Sequence, residues 1–100
     1  HVQGNMCSYS WMQNDEEVEI IISLKKKVED GMKVDKTSIK VDFQPRKVIV
    51  KCNNESILEV QLYSKLDVDG CTWTLDKESL VITCEKASQG EIWPRLELSG

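Results

Sequence analysis

Few side chains of this chain have the types and spacing that nucleophilic or acid–base catalysis requires. Its cysteines and serines could act as nucleophiles, but each would need a neighbouring base, and the only histidine is His1. The acidic pairs Asp15–Glu16 and Asp67–Asp69 could act as acid and base, yet a solvated acidic surface is the simpler interpretation of exposed charges in turn-like stretches. The sequence also has no glycine-rich phosphate loop and no zinc-ligand spacing. We therefore predict a protein that is not an enzyme and that binds no cofactor or metal.

The cysteines indicate the redox environment of the protein. Cys7, Cys52, Cys71 and Cys84 form no CxxC pair, and three of them fall in or beside apolar strand patterns, which favours buried free thiols over disulfides. The first residues lack the basic and apolar regions of a secretory signal. Both observations predict a cytoplasmic location, where thiols stay reduced.

Length and composition are typical of a single globular domain. We expect His1 to Asn5 to be an expression-tag remnant and residues 6–100 to form one domain. Hydrophobic residues make up 40% of the chain and charged residues 30%, and no apolar run approaches the roughly 18 residues of a membrane span. We therefore expect a domain that does not enter a membrane.

Alternation of apolar and polar residues is the strongest pattern in the chain, and it is typical of strands with one buried face. The stretches that show it are YSWMQ (9–13), VEIIISL (18–24), SIKVDF (38–43), KVIVKC (47–52), ILEVQLY (57–63), TWTL (72–75) and SLVITCEK (79–86). Turn-forming residues occupy 44–46, 52–56, 67–70 and 76–79, and only residues 25–37 make a longer connection. The pattern predicts an all-β fold, a seven-stranded antiparallel β-sandwich.

Positive charge is concentrated in the middle of the chain. Residues 25–51 hold nine cations and four acids, whereas the rest of the chain holds four cations and thirteen acids. Lys40, Arg46, Lys47 and Lys51, hereafter the basic strip, could steer an acidic partner to one face. The alternative is that they only protect a sheet edge from pairing. Nucleic acid binding is not expected, because the one aromatic side chain of this segment is predicted to face the core and the net charge is −4.

The C-terminal stretch WPRL has two interpretations. Pro94 disfavours helix at Trp93 and removes a ladder donor, so the stretch should run extended along the sandwich. Trp93 and Leu96 could close the fold over a sheet edge, which is the interpretation we favour. Alternatively, Trp93 and Arg95 could form the aromatic and arginine anchor that is common in protein interfaces. We therefore count Trp93, Arg95 and Leu96, together with the basic strip, as candidate partner-binding residues.

The order of these motifs resembles that of a known family. YSWMQNDEEVEIIISL, the hairpin SIKVDF and VIVKC, LEVQLYSKLDVDGCTWTL, SLVITCEK and WPRL follow one another as in CS domains, over nearly the whole chain. Gln13, Tyr63 and Trp73 match the pattern of the nuclear distribution protein C (NudC) family best. WPRL also recurs in the small acidic co-chaperone of the ninety-kilodalton heat-shock protein, which shares the fold. A glycine expected shortly before the leucine–tyrosine pair is absent, and Glu59 to Gln61 stand there instead.

The resemblance implies a fold and a function. The fold would be the Hsp20-like sandwich of CS domains. The function would be that of an ATP-independent co-chaperone, which holds partly folded clients and associates with the ninety-kilodalton heat-shock chaperone or its clients. NudC resemblance further implies a role with dynein and the lissencephaly protein in nuclear movement. The alternative is a non-chaperone adaptor or scaffold domain in a protein assembly.

Overall fold

The fold contains all seven predicted strands. The computed structural model describes residues 8–98, so the predicted tag remnant His1–Asn5 and Cys7 lie outside the described residues. The elements are β1 (Tyr9–Gln13), β2 (Glu17–Ser23), α1 (Lys25–Glu29), one turn of 3-10 helix (Lys36–Ser38), β3 (Ile39–Gln44), β4 (Lys47–Cys52), β5 (Glu55–Gln61), β6 (Leu66–Asp76) and β7 (Ser79–Lys86). Each strand overlaps one predicted stretch, which confirms the all-β prediction.

The strands form two antiparallel sheets. Sheet A has the strand order β1-β2-β7-β6, and sheet B has the order β3-β4-β5. The inward faces of the two sheets contribute to one hydrophobic core. The predicted seven-stranded antiparallel β-sandwich is therefore confirmed.

The core consists mainly of every second side chain of the strands, as the alternation predicts. Its fully buried members include Val18, Ile20 and Ile22 of β2, Leu80, Ile82 and Cys84 of β7, Val48 and Val50 of β4, and Leu58 and Val60 of β5. Val41 and Phe43 of β3 and Trp73 and Leu75 of β6 also face inward but are only partly buried.

Two short turns confirm the predicted chain reversals. Asn53 and Asn54, which join β4 to β5, have φ angles of 54° and 68°. Positive φ at both central residues is the type I′ conformation, which matches the twist of a hairpin and is tolerated best by asparagine and glycine. Pro45 and Arg46 join β3 to β4 in the same number of residues. These turns fix the register of sheet B and therefore the positions of its outward lysines.

The prediction of a turn at residues 67–70 is wrong. These residues lie inside β6, where Asp67 pairs with Glu85 but Thr72 pairs with Thr83, so β6 carries extra residues and bulges. Gly70 lies in the bulge, and a Cβ added there would come within 1.6 Å of Glu85 Oε1. The aspartates and the glycine thus serve a bulge instead of a turn, since both structures favour the same residue types.

The long connection between the sheets contains one short helix. Helix α1 ends at Glu29, and Gly31, which follows the C-cap residue Asp30, has a φ of 84°, the left-handed conformation that glycine adopts freely. The Gly31 N–H donates to the Val28 carbonyl, and the Met32 N–H donates to the Lys27 carbonyl, which is the Schellman pattern. The Lys27 Nζ lies 2.7 Å from Glu55 Oε1, and this ion pair fastens the helix to the first residue of β5.

Candidate functional site

The outward face of sheet B carries the lysines of the basic strip. Lys40 of β3 lies directly opposite Lys51 of β4, and both side chains are exposed. Lys47 lies at the other end of β4, with its Nζ 3.6 Å from Glu59 Oε2. Ile49 lies between the two lysines of β4 on the same face, because side chains alternate along a strand. Lys47 is therefore paired, whereas Lys40 and Lys51 form a like-charged cross-strand pair.

A shallow hollow lies at this pair of lysines. It has a volume of about 260 Å³ and is lined by Lys40, Val41, Asp42, Ile49 and Lys51, hereafter the basic hollow. Within residues 8–98, neither lysine forms an ion pair, and Asp42 accepts a hydrogen bond from Gln44 Nε2 at 2.9 Å. Like charges directly opposite each other destabilise a sheet. A carboxylate or phosphate in the hollow would relieve this repulsion, while Ile49 offers an apolar contact.

Arg46 and Arg95 lie around a different residue, Tyr63. Arg46 Nη2 donates to the Tyr63 carbonyl at 3.0 Å. The Arg95 guanidinium carbon lies 5.4 Å from the centre of the Tyr63 ring, the geometry of a cation–π contact. Arg95 also donates to the Leu98 carbonyl at 3.0 Å. The structure therefore divides the predicted cations into a Lys40–Lys51 pair and an Arg46–Arg95 cluster.

The C-terminal segment, residues 93–98, closes the sandwich between two sheet edges. Its backbone pairs with the end of β5, since Tyr63 N–H donates to the Leu96 carbonyl at 2.9 Å and Leu98 N–H donates to the Gln61 carbonyl at 2.8 Å. Toward β1, Tyr9 Oη donates to Glu97 Oε2 at 2.8 Å. Because β1 and β5 are edge strands of different sheets, the segment joins the two sheets along one side.

Trp93 and Leu96 are core residues of this closure. Trp93 is 2% exposed and Leu96 is 3% exposed, so the fold-closing interpretation describes their positions. The Trp93 ring lies 6.2 Å from that of Tyr63, centre to centre. Arg95, between them in sequence, is exposed. Binding of a partner by these three residues stays a prediction, and only Arg95 offers its side chain directly to solvent.

A cluster of hydrogen bonds joins Gln13, Lys86 and the backbone of Trp93, and we call it the polar node. The sequence analysis did not predict it. Gln13 Nε2 donates to the Trp93 carbonyl at 2.7 Å, and Trp93 N–H donates to Gln13 Oε1 at 2.8 Å. Lys86 is 1% exposed, and its Nζ donates to Gln13 Oε1 at 2.9 Å, to the Asn14 carbonyl at 2.7 Å and to the Glu91 carbonyl. Lys86 Nζ also lies 5.9 Å from the centre of the Trp93 ring. The period-two series of β7, extended from Cys84, points Lys86 inward and could have revealed it.

Catalytic groups are sparse in the part of the chain that the structure describes. Asp15, Glu16, Asp67 and Asp69 are exposed, as a solvated acidic surface requires. Residues 8–98 contain no group of three or more histidine, cysteine, aspartate or glutamate side chains placed to hold a metal ion. Among the same residues, no helix is both long and apolar enough to cross a membrane.

Comparisons with known proteins agree with this architecture. The family model of the CS domain matches residues 7–86. NudC domain-containing protein 1 of Mus musculus is 33% identical over 89 residues, which cover 88% of this chain but only 14% of that protein. The nuclear movement protein of E. cuniculi GB-M1 has the same fold, with a TM-score of 0.70, 21% identity and coverage of 89% of this chain and 96% of that one. The CS domain of the human KIAA1068 protein gives a TM-score of 0.72 at 17% identity and covers 100% of this chain and 77% of that one. The chain therefore belongs to the CS domain family, a family of protein-interaction modules, and it is related to the NudC proteins.

Proposed function

We propose that this chain is the partner-binding domain of a NudC-like co-chaperone, that it acts without ATP and without catalysis, and that it works in the cytoplasm. Its membership of a protein-interaction family supports this proposal. The chain spans about a seventh of the length of its curated mouse relative, so a longer protein would contribute further contacts. The proposed partners are the ninety-kilodalton heat-shock chaperone, its clients, or dynein-pathway components of nuclear movement.

The observation that carries the proposal is the opposition of Lys40 and Lys51 on the outer face of sheet B. Two unpaired ammonium groups beside the exposed part of Ile49 form a surface that gains stability when an acidic partner binds. Lys47, which is held by Glu59, would contribute less. The proposed partner is therefore a protein segment with carboxylates on either side of an apolar side chain.

The Arg46–Arg95 cluster extends this proposed surface toward the C-terminal segment. Arg95 is exposed above Tyr63, and an arginine on an aromatic ring is a common anchor in protein interfaces. Trp93 and Leu96 would then serve binding indirectly, because their burial holds Arg95 in place. The basic strip and the C-terminal residues Trp93, Arg95 and Leu96 thus both keep a role in the proposal.

Charge reversal tests the proposed surface. We expect the double variant Lys40→Glu/Lys51→Glu to bind the purified ninety-kilodalton chaperone about tenfold more weakly in calorimetric titrations at low salt. Its melting temperature should stay close to that of the wild type, since both side chains are exposed. The matched control is Lys25→Glu/Lys26→Glu, which makes the same change of charge on the exposed helix α1. Equal affinities of the two double variants would remove the basic hollow from the proposal.

An aggregation assay separates the co-chaperone from an adaptor or scaffold. A domain that holds unfolded clients should suppress the aggregation of a heat-labile enzyme at low molar ratio. The same assay with the Lys40→Glu/Lys51→Glu variant shows whether the basic hollow takes part in this suppression. An adaptor would bind its partner in the titration and leave aggregation unchanged. That result would replace the chaperone part of the proposal while keeping the binding surface.

A further inference from the structure

Two cysteines of neighbouring strands meet at the bulge of β6. Thr72 of β6 pairs with Thr83 of β7, and the next residue of each strand beyond this pair, Cys71 and Cys84 respectively, packs into or against the core at the edge of the bulge. Cys84 faces the core and is buried, whereas Cys71 is partly exposed. Neither thiol contributes to the basic hollow or to the polar node beneath Trp93. The pair is therefore independent of the proposed function.

The contacts of the two thiols are unequal. Cys71 and Cys84 lie close enough for each thiol to shift the pKa of the other, and the Glu85 backbone N–H also acts on the pKa of Cys71. Cys71 Sγ in turn donates to the Asp67 carbonyl at 3.4 Å. This hydrogen bond spans the bulge, which lies between Asp67 and Thr72.

This arrangement distinguishes an attacking thiol from a resolving thiol. The hydrogen bond from Cys84 lowers the pKa of Cys71, assisted by the Glu85 N–H and opposed by burial and by the carboxylates of Asp67 and Glu85. The same hydrogen bond, together with burial and the nearby Cys71 charge, raises the pKa of Cys84. Thiolates are the reactive form of cysteine. Cys71 thus combines access to solvent with the easier loss of its proton.

We propose that Cys71 and Cys84 form a peroxide-sensitive dithiol site, in which the partly exposed Cys71 reacts first and the buried Cys84 across the strand pair resolves it. The Cys71 thiolate attacks one oxygen of hydrogen peroxide, forming a sulfenic acid and releasing hydroxide. The Cys84 sulfur then attacks the Cys71 sulfur and displaces its oxygen as a second hydroxide. The two thiol protons convert both hydroxides to water. In sum, two thiols and one peroxide give one disulfide and two waters.

The site should oxidise without unfolding the domain. Opposed side chains of adjacent antiparallel strands have Cβ atoms about 4.5–5.5 Å apart, and a disulfide requires about 3.5–4.5 Å, so a small local approach of the two strands is enough to close the bond. Cys52, by contrast, is buried in β4 of the other sheet and has no such neighbour among residues 8–98. Cys52 is therefore the internal control, because its oxidation would report exposure or unfolding and not a paired thiol.

Peptide mapping tests the proposal directly. The full chain carrying Cys7→Ser is treated with hydrogen peroxide, its free thiols are alkylated, and it is digested with trypsin. Cleavage after Lys65, Lys77 and Lys86 puts Cys71 and Cys84 on separate peptides. We expect a peptide pair joined by a disulfide, lighter than its two parts by two hydrogen atoms and separated again by dithiothreitol. Alkylation of both cysteines at a peroxide dose that already oxidises Cys52 would overturn the proposal, as would a disulfide to Cys52.

Two single variants distinguish the two roles. In Cys84→Ala the resolving thiol is absent, so the sulfenic acid of Cys71 should persist and be trapped by dimedone. In Cys71→Ser, Cys84 should stay reduced because it is buried. Dimedone labelling of Cys84 in place of Cys71 would reverse the assignment of roles and contradict the proposal. The wild-type mapping decides the disulfide itself if either variant fails to fold.

Discussion

The side-chain amide of Gln13 forms two hydrogen bonds with the backbone of Trp93, at 2.7 and 2.8 Å, although 80 residues separate them. The amide thus takes the place of a neighbouring strand, since it offers one donor and one acceptor to the same residue. Lys86 adds a third bond at Gln13 Oε1. The first strand, the last strand and the C-terminal segment therefore meet at one side chain.

Replacement of Gln13 by leucine should destabilise the domain strongly. Trp93 would keep a backbone donor and acceptor without partners, and Lys86 would lose one of its acceptors, so we expect a loss of about 2 kcal/mol in the free energy of unfolding. Urea denaturation followed by tryptophan fluorescence measures it. The control is Gln61→Leu, whose side chain is exposed and which should change stability by less than about 0.5 kcal/mol. Equal losses in both variants would contradict the role of the node.

Within the C-terminal segment, stability should depend on Trp93 and only weakly on Arg95. Trp93→Ala removes a buried ring and should cost about 3–5 kcal/mol. Arg95→Ala removes an exposed side chain with a cation–π contact and should cost about 1 kcal/mol or less. Thermal and urea unfolding of the two variants give the comparison. A stable Trp93→Ala domain would show that the segment does not close the fold.

The opposed lysines predict that a single charge reversal stabilises the domain. Lys40→Glu turns a like-charged pair into an opposite-charged pair with Lys51, which should add about 0.5 kcal/mol. Lys51→Glu should do the same, and the double variant should return to the wild-type value because two glutamates then oppose each other. Chemical denaturation at low salt measures this cycle. The gain should disappear at about 1 M salt, where screening is strong, and a gain that persists there would have another cause.

The hydrogen bond between Tyr9 and Glu97 predicts a loss of stability at alkaline pH. Burial, this hydrogen bond and the charge of Glu97 raise the pKa of Tyr9 to about 12, compared with about 10 in an unfolded chain. A group whose pKa is raised by folding stabilises the protein fully below its unfolded pKa and loses that contribution as the pH rises through the folded pKa. The contribution of Tyr9 should therefore decline between about pH 10 and pH 12.

The comparison of wild type with Tyr9→Phe isolates this effect from other groups that titrate. At neutral pH the variant should be less stable by about 1 kcal/mol, because it lacks the hydrogen bond. The difference should shrink as the pH rises toward about 12, and denaturation at a series of pH values measures it. A difference that stays constant over that range would show that Tyr9 does not titrate as described.

The alternation of apolar and polar residues along the sequence predicted the strands but not the contacts between them. The alternation in each strand is a local property, so it identified seven strands and the core residues of β2 and β7. It could not distinguish a bulge from a turn at Gly70, because the same residue types favour both. Nor could it show that Cys71 lies close to Cys84, since the bulge shifts the register in a way that only the paired strand reveals.

The candidate site was predictable only in part for the same reason. The cations were visible as a cluster in sequence, but the opposition of Lys40 and Lys51 depends on the register of a hairpin. Pro94 indicated an extended, fold-closing segment, which agrees with the burial of Trp93. The side-chain amide of Gln13 is the hydrogen-bond partner of Trp93. Because the two residues lie near opposite ends of the chain, no local sequence rule connects them.

The most direct test of the proposed surface is an NMR titration of the isotope-labelled domain with the purified ninety-kilodalton chaperone. We expect the largest amide shifts at Lys40, Ile49 and Lys51, with smaller shifts around Arg95, and we expect them to vanish in the Lys40→Glu/Lys51→Glu variant. The amides of Met12 and Val81, on the outward face of sheet A, should not move. Shifts confined to sheet A, or no shifts at saturating chaperone, would contradict binding of this chaperone through the basic hollow.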